Sequence, residues 1–133
     1  MIATKSIADL VCEQALFAGL DSAFCGLVAG CAENVVFRRG GMLFRSGDPA
    51  DTFYLLRHGA VSLECFVPGH GVRSFVTLGP GEIVGVSWLI PPYRWNFDAR
   101  ALNVVRALAF DAGCLRSKCD ADPAIGYALM QRL

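Results

Sequence analysis

Arg39-Gly40-Gly41-Met42-Leu43-Phe44-Arg45-Ser46-Gly47-Asp48-Pro49-Ala50-Asp51, followed after Thr52 by Phe53-Tyr54-Leu55-Leu56-Arg57-His58-Gly59-Ala60-Val61, is the stretch on which the fold turns. Its short apolar runs are separated by glycine, proline and aspartate. Gly47 and Gly59 stand where the chain must reverse, and Asp48 can hydrogen-bond the turn that it begins. Working outward, runs of the same kind recur about every ten residues. They are Val35–Phe37, Met42–Phe44, Phe53–Leu56, Val61–Val67, Val72–Leu78, Ile83–Val86, Ala99–Val104 and Ala107–Phe110. That spacing predicts β-strands in a barrel or sandwich. Pro68-Gly69-His70-Gly71 supplies turn residues, so the runs on either side of it should form a hairpin.

The flanks have a helical period. Ser6 with Asp9 makes a capping box ahead of Ile7, Leu10, Val11 and Gln14. Asp21 caps a second helix whose apolar stripe is Phe24, Leu27, Val28 and Cys31. Beyond Cys119, Asp122 caps and Pro123 opens one short C-terminal helix with Ile125, Leu129, Met130 and Leu133 on a shared face. So short a helix is marginal alone and must pack on the strands or on a partner.

The chain has 133 residues, 54% apolar and 18% charged, with 12 basic side chains balancing 12 acidic ones. One domain fits, and disorder is excluded by the positive mean hydropathy and balanced charge. The longest uncharged runs, Ser22–Ala32 and Ile83–Tyr93, fall short of the roughly 18 residues of a membrane-spanning helix. With no basic run beyond Arg38-Arg39, the footprint for binding nucleic acid is missing. Met1–Lys5 does not open a secretory signal, which places the chain in the cytoplasm.

Cys12, Cys25, Cys31, Cys65, Cys114 and Cys119 are therefore expected to be free and mostly buried thiols. No CxxC pair occurs, and neither His58 nor His70 stands at ligand spacing from a cysteine, so no metal site is expected. His58 precedes a turn glycine and is read as structural, His70 as an exposed hairpin tip. Cys114 and Cys119 bracket Leu115-Arg116-Ser117-Lys118, a basic cluster that either lowers a thiol pKa for redox sensing or is a solvated surface. The apolar surplus on so short a chain implies a patch that another subunit covers.

Leu16-Phe17-Ala18-Gly19-Leu20, the hairpin stretch 39–51 and the strand-turn-strand 53–61 together resemble the cyclic-nucleotide-binding domain of the Crp/Fnr type. The resemblance runs along the whole chain. It implies a mainly β fold with flanking helices: an eight-stranded, jelly-roll-like β-roll over 34–112, two N-terminal helices in 1–33, and a C-terminal helical segment in 113–133. The family's transcription factors continue into a dimer-forming stem and a helix-turn-helix, before which this sequence stops, so a single-domain form is expected.

The resemblance also implies a phosphate cassette after Leu78-Gly79-Pro80-Gly81-Glu82, and there the sequence departs from the family. Val86 stands at the ribose-binding glutamate, and valine cannot accept a hydroxyl proton. Trp95 stands at the phosphate-binding arginine and Asn96 at the hydroxyl residue after it; neither offers a bidentate cationic fork. Arg94 is one position away, and Glu82 precedes the cassette and is expected to face solvent. Val86–Arg100 holds four aromatics and two arginines. Either the aromatic faces stack a flat ring with Arg94 or Arg100 near a phosphate, or Trp88, Trp95 and Phe97 plug a vestigial pocket. Asp98 and Arg100 point the same way from a strand, as an ion pair or as ligand contacts.

The candidate ligand-binding residues are thus Gly85, Val86, Ser87, Trp88, Arg94, Trp95 and Asn96. No nucleophile is paired with a base, so no catalytic residue, enzyme activity or cofactor is expected. The sequence predicts a regulatory or sensory module with an atypical nucleotide-like ligand, whose binding would reposition the helix near Pro123. The alternative is a ligand-free interaction subunit docked on a larger cytoplasmic complex, for instance an accessory subunit of a redox enzyme. Expected partners are a nucleotide-like small molecule and another subunit, or a second copy, through the C-terminal helix and apolar surface, with neither nucleic acid nor membrane.

Overall fold

The computed structural model describes residues 10–11, 22–84 and 93–130. Eight strands carry the fold: β1 (Ala32–Phe37), β2 (Met42–Phe44), β3 (Thr52–His58), β4 (Val61–Val67), β5 (Gly71–Leu78), β6 (Ile83–Val84), β7 (Asp98–Ala101) and β8 (Val105–Asp111). They form two antiparallel sheets, in the orders β1-β8-β3-β6 and β2-β7-β4-β5. The mainly β fold expected from the turn spacing is the one observed.

Burial explains the order within each sheet. In β8 both faces are covered, with Val105, Ala107, Leu108 and Phe110 all buried, as befits a strand paired on both edges. Phe53 lies opposite Phe110 across β3 and β8, their rings stacked with centroids 4.9 Å apart. Such a pair adds about 0.5–1.5 kcal/mol beyond its buried area. The edge strand β5 is exposed along nearly its whole length. The hairpin it makes with β4 turns at the residues expected, with Val67 paired to Gly71 and the His70 amide donating to the Val67 carbonyl.

The run expected over Ala99–Val104 is interrupted. β7 ends at Ala101, and Leu102 and Val104 are exposed in the turn that leads to β8. The turn is fixed by the Leu102 amide donating to the Ala60 carbonyl and by the Asn103 side chain accepting from the Ala60 amide at 2.8 Å.

Helix α1 (Ser22–Ala29) buries Cys25 and Val28 but leaves Leu27 41% exposed, so its apolar face is narrower than the spacing implied. The helix expected from Ser6 falls almost wholly outside the described residues, among which Leu10 and Val11 are helical and buried. The C-terminal segment differs from expectation, forming two helices, α2 (Ala112–Ala121) and α3 (Pro123–Met130). Asp111 caps α2 by accepting the Cys114 amide at 2.8 Å. Only Ala112 and Leu115 of α2 are buried, which left no long apolar stripe for the sequence to display. Asp122 ends α2, its amide donating to the Lys118 carbonyl, and its carboxylate accepts from the Ala124 amide in the first turn of α3.

The free-thiol expectation is overturned. Cys31, just past α1, is joined to Cys114 in the first turn of α2 by a disulfide, and Cys25 is also disulfide-bonded. Cys65 and Cys119 are free and half-buried. Burial, then the neighbouring Asp120 carboxylate, raises the Cys119 pKa. The basic cluster 115–118 therefore does not lower the Cys119 pKa, and Cys114 is held in the disulfide. Among the described residues no helix is long and apolar enough to cross a membrane.

Candidate functional site

Tyr93, Arg94 and Trp95, at the far end of the expected cassette, are held by the β2–β3 loop, residues 45–51. The loop's shape comes from its own turn chemistry: the Arg45 amide donates to the Asp48 carboxylate and the Asp48 amide to the Arg45 carbonyl, as Asp48 was expected to do. Gly47 takes φ of +90°. From this frame the Gly47 amide donates to the Trp95 carbonyl (2.8 Å), the Trp95 amide to the Asp48 carbonyl (3.0 Å) and the Ala50 amide to the Tyr93 carbonyl (2.6 Å). Pro49 and Arg94 form a β-bridge. This clamp was invisible in the sequence, where its two halves lie more than 40 residues apart.

The clamp puts the three described candidates in different environments. Trp95 turns inward, only 3% exposed, its ring stacked on Phe44 at 3.8 Å and 8° and tilted against Phe97 at 6.2 Å. Arg94 turns outward, its Nη1 donating to the Gly47 carbonyl at 2.9 Å, and Asn96 is exposed. Gly85, Val86, Ser87 and Trp88 lie outside the described residues. Glu82 is exposed and accepts the Gly79 amide at 2.6 Å, which makes it a turn cap.

Arg100 pairs with the buried Glu64 across β7 and β4 at 2.8 Å, while Asp98 accepts the Ser46 amide at 2.7 Å. The Asp98 to Arg100 pairing weighed from their spacing is thus replaced by a cross-strand contact that strand alternation alone could not show. Glu64 is among the few buried polar residues, and a buried carboxylate needs such a partner.

A cavity of about 250 Å³ opens beside Trp95, lined by Phe44, Tyr54, Thr52, Asp48 and Asp51 among others. The charged side chains of its lining are the Asp48 and Asp51 carboxylates, with no cation among them, so its field opposes a phosphate rather than attracting one. Burial raises the Tyr54 pKa, with the Asp51 and Glu33 carboxylates adding to the rise. Its hydroxyl donates to the Leu43 carbonyl at 3.4 Å. Because the folded-state pKa lies above the unfolded value, Tyr54 supports the fold below about pH 10 and that support is lost as pH rises through the folded pKa. Urea denaturation at neutral and alkaline pH should show stability falling on the alkaline side, and Tyr54→Phe should flatten the fall. An unchanged slope in that variant would remove Tyr54 as its cause.

An eight-stranded β-roll in two antiparallel sheets, followed by a helical C-terminal segment, is the architecture of a class of regulatory domains. Residues 34–122 match the model of the cyclic nucleotide-binding domain, and the chain belongs to that family. It is 24% identical over 125 residues to a CRP-like cAMP-activated global transcriptional regulator of Mycobacterium tuberculosis, a match covering 94% of this chain and 56% of that protein. The chain thus spans little more than half the length of that relative. Among solved structures it is similar to a protein of Geobacter metallireducens GS-15 described as cyclic nucleotide-binding, at 31% identity and a TM-score of 0.78, covering 90% of this chain and 86% of the other. It is also similar to the N-terminal domain of a transcriptional regulator from Streptomyces coelicolor A3(2), at 29% identity and a TM-score of 0.77, covering 93% and 87%.

Proposed function

We propose that this chain is a non-catalytic regulatory module in which a self-packed aromatic stack replaces the family's phosphate clamp, and which acts through contact with a protein partner in a larger cytoplasmic assembly. The burial of Trp95 against Phe44 carries the reading. An indole at the place of the phosphate-binding arginine supplies no cation, and the adjoining cavity is acidic. The exposed side chains Phe66, Val72, Phe75 and Val76 on the β4–β5 hairpin support a partner-facing surface.

The test is thermal unfolding of the purified chain with cyclic mononucleotides, dinucleotides and pyridine nucleotides. A ligand at about 100 times its Kd adds roughly 2.7 kcal/mol, which a melting curve reads easily. No shift with cyclic mononucleotides is expected, and a shift with any of them overturns the reading.

A second reading, an atypical nucleotide-like ligand, is favoured by the exposure of the Arg94 guanidinium at the cassette end. Under that reading Arg94→Ala abolishes the ligand-induced shift. Without ligand, the variant should stay within about 0.5 kcal/mol of the parent.

A further inference from the structure

We infer that the Cys31–Cys114 disulfide is a thiol-exchange site, opened by a dithiol reductant, and that opening it unlatches helix α2 and loosens the cassette clamp. The bond sits where it adds little to the β-roll itself. Strands β1 and β8 are already zipped from Ala32–Phe110 to Phe37–Val105, and the Asp111 amide donates to the Cys31 carbonyl at 2.7 Å. What the bond tethers is α2, whose buried residues are Ala112 and Leu115 alone. A helix with so small a buried face depends on its tether.

The bond is also reachable. A cavity of about 340 Å³ opens on it, lined by Cys31, Cys114, Glu33, Thr52 and Asp111. Cys31 is 7% exposed and Cys114 half-buried, which assigns the attack to Cys114, the more exposed residue of the pair. A thiolate of the dithiol bonds to Cys114 Sγ as the Sγ–Sγ bond breaks, and Cys31 leaves as a thiolate that takes up a proton. The second thiolate of the dithiol then displaces Cys114, which is protonated in turn, and the reductant departs as its own disulfide. Two electrons and two protons pass to the protein. Cys119 is poorly suited to do this from within, since burial raises its pKa and suppresses its thiolate.

Opening it reaches the cassette through contacts already described. The Ala112 amide donates to the Asp51 carbonyl at 2.9 Å, the Ala50 amide donates to the Tyr93 carbonyl, and the Arg116 guanidinium lies over the Tyr93 ring, 4.8 Å from its centroid. Tyr93 itself holds φ of +56°, an uncommon conformation for a non-glycine residue that persists only where neighbours impose it. When α2 leaves, the β2–β3 loop and Tyr93 lose partners together.

The test treats the full chain with dithiothreitol without denaturant, counts alkylated thiols by mass, and follows amide hydrogen exchange. Cys31 and Cys114 should become alkylatable with the circular dichroism of the sheets retained. Amides of residues 112–121 should exchange at least about tenfold faster, as should those of Ala50 and Trp95. Because the disulfide of Cys25 is reduced too, the Cys31→Ser, Cys114→Ser double variant isolates this bond and should show the same exchange without reductant. If that variant does not fold, the dithiothreitol titration of the parent decides alone. Cleavage only where the sheet signal is lost, or unchanged exchange in α2 after cleavage, overturns the proposal; faster exchange in α2 with Ala50 and Trp95 unaffected overturns the coupling to the cassette.

Discussion

Trp95→Ala is expected to cost about 3–5 kcal/mol of unfolding free energy, the range for emptying a large aromatic site in a core. The indole is 3% exposed, lies flat on Phe44 and borders Phe97, which in turn meets Phe75 edge-on with centroids 5.7 Å apart. Removing it strands the whole aromatic row. Its backbone is bonded on both sides to the β2–β3 loop, so the chain cannot collapse inward to fill the space. The new void would merge with the cavity lined by Phe44 and Tyr54, and water entering there would meet the exposed face of Phe44. Urea denaturation should show a lower midpoint with an unchanged slope. A loss below about 1 kcal/mol, the scale of ordinary surface changes, would show that the indole is not core and would return Trp95 to the ligand site. Trp95→Phe, which keeps the stack and loses part of the volume, should fall between.

The strands were legible because glycine and proline punctuation is chemical and local. Gly47, Gly59 and the 68–71 turn each enforce a reversal whatever surrounds them, and the hairpin followed from them. Three things were not local. Helix α2 starts on the Asp111 cap but carries little apolar face, so periodicity passed over it. The disulfide joins residues 83 apart, and nothing in that separation marks a pair. The orientation of Trp95 was left open because loop residues have no period to decide which way they point; Phe44, which decides it, lies on another strand. The resemblance to the family marked where a cassette is expected, yet it could not say that Trp95 turns into the core. That answer needed the β2–β3 clamp, in which Trp95 and Arg94, neighbours in sequence, face opposite environments.

Gly59→Ala should be the most damaging of the turn substitutions, and Gly47→Ala is its control. Both glycines hold positive φ, +88° and +90°, so each alanine meets the same left-handed cost of about 1–2 kcal/mol. Around Gly47 a Cβ would find open space. At Gly59 it would land on the Val104 carbonyl oxygen, 2.8 Å from Asn103 Oδ1 and 3.0 Å from Val105 Cα. Two of these are backbone atoms and cannot rotate away. The third is the side chain that accepts the Ala60 amide, so moving it breaks one of the two bonds that tie the β3–β4 turn to the β7–β8 turn. Crowding of this kind costs about 1–3 kcal/mol, and the lost hydrogen bond about 1 more. Gly59→Ala should therefore exceed Gly47→Ala by about 2 kcal/mol or more, read as the difference between their urea midpoints at equal slope. Equal losses would mean that backbone conformation alone matters at Gly59. The Asn103 staple would then add nothing, and the two turns would be tied by the Leu102 amide to the Ala60 carbonyl alone.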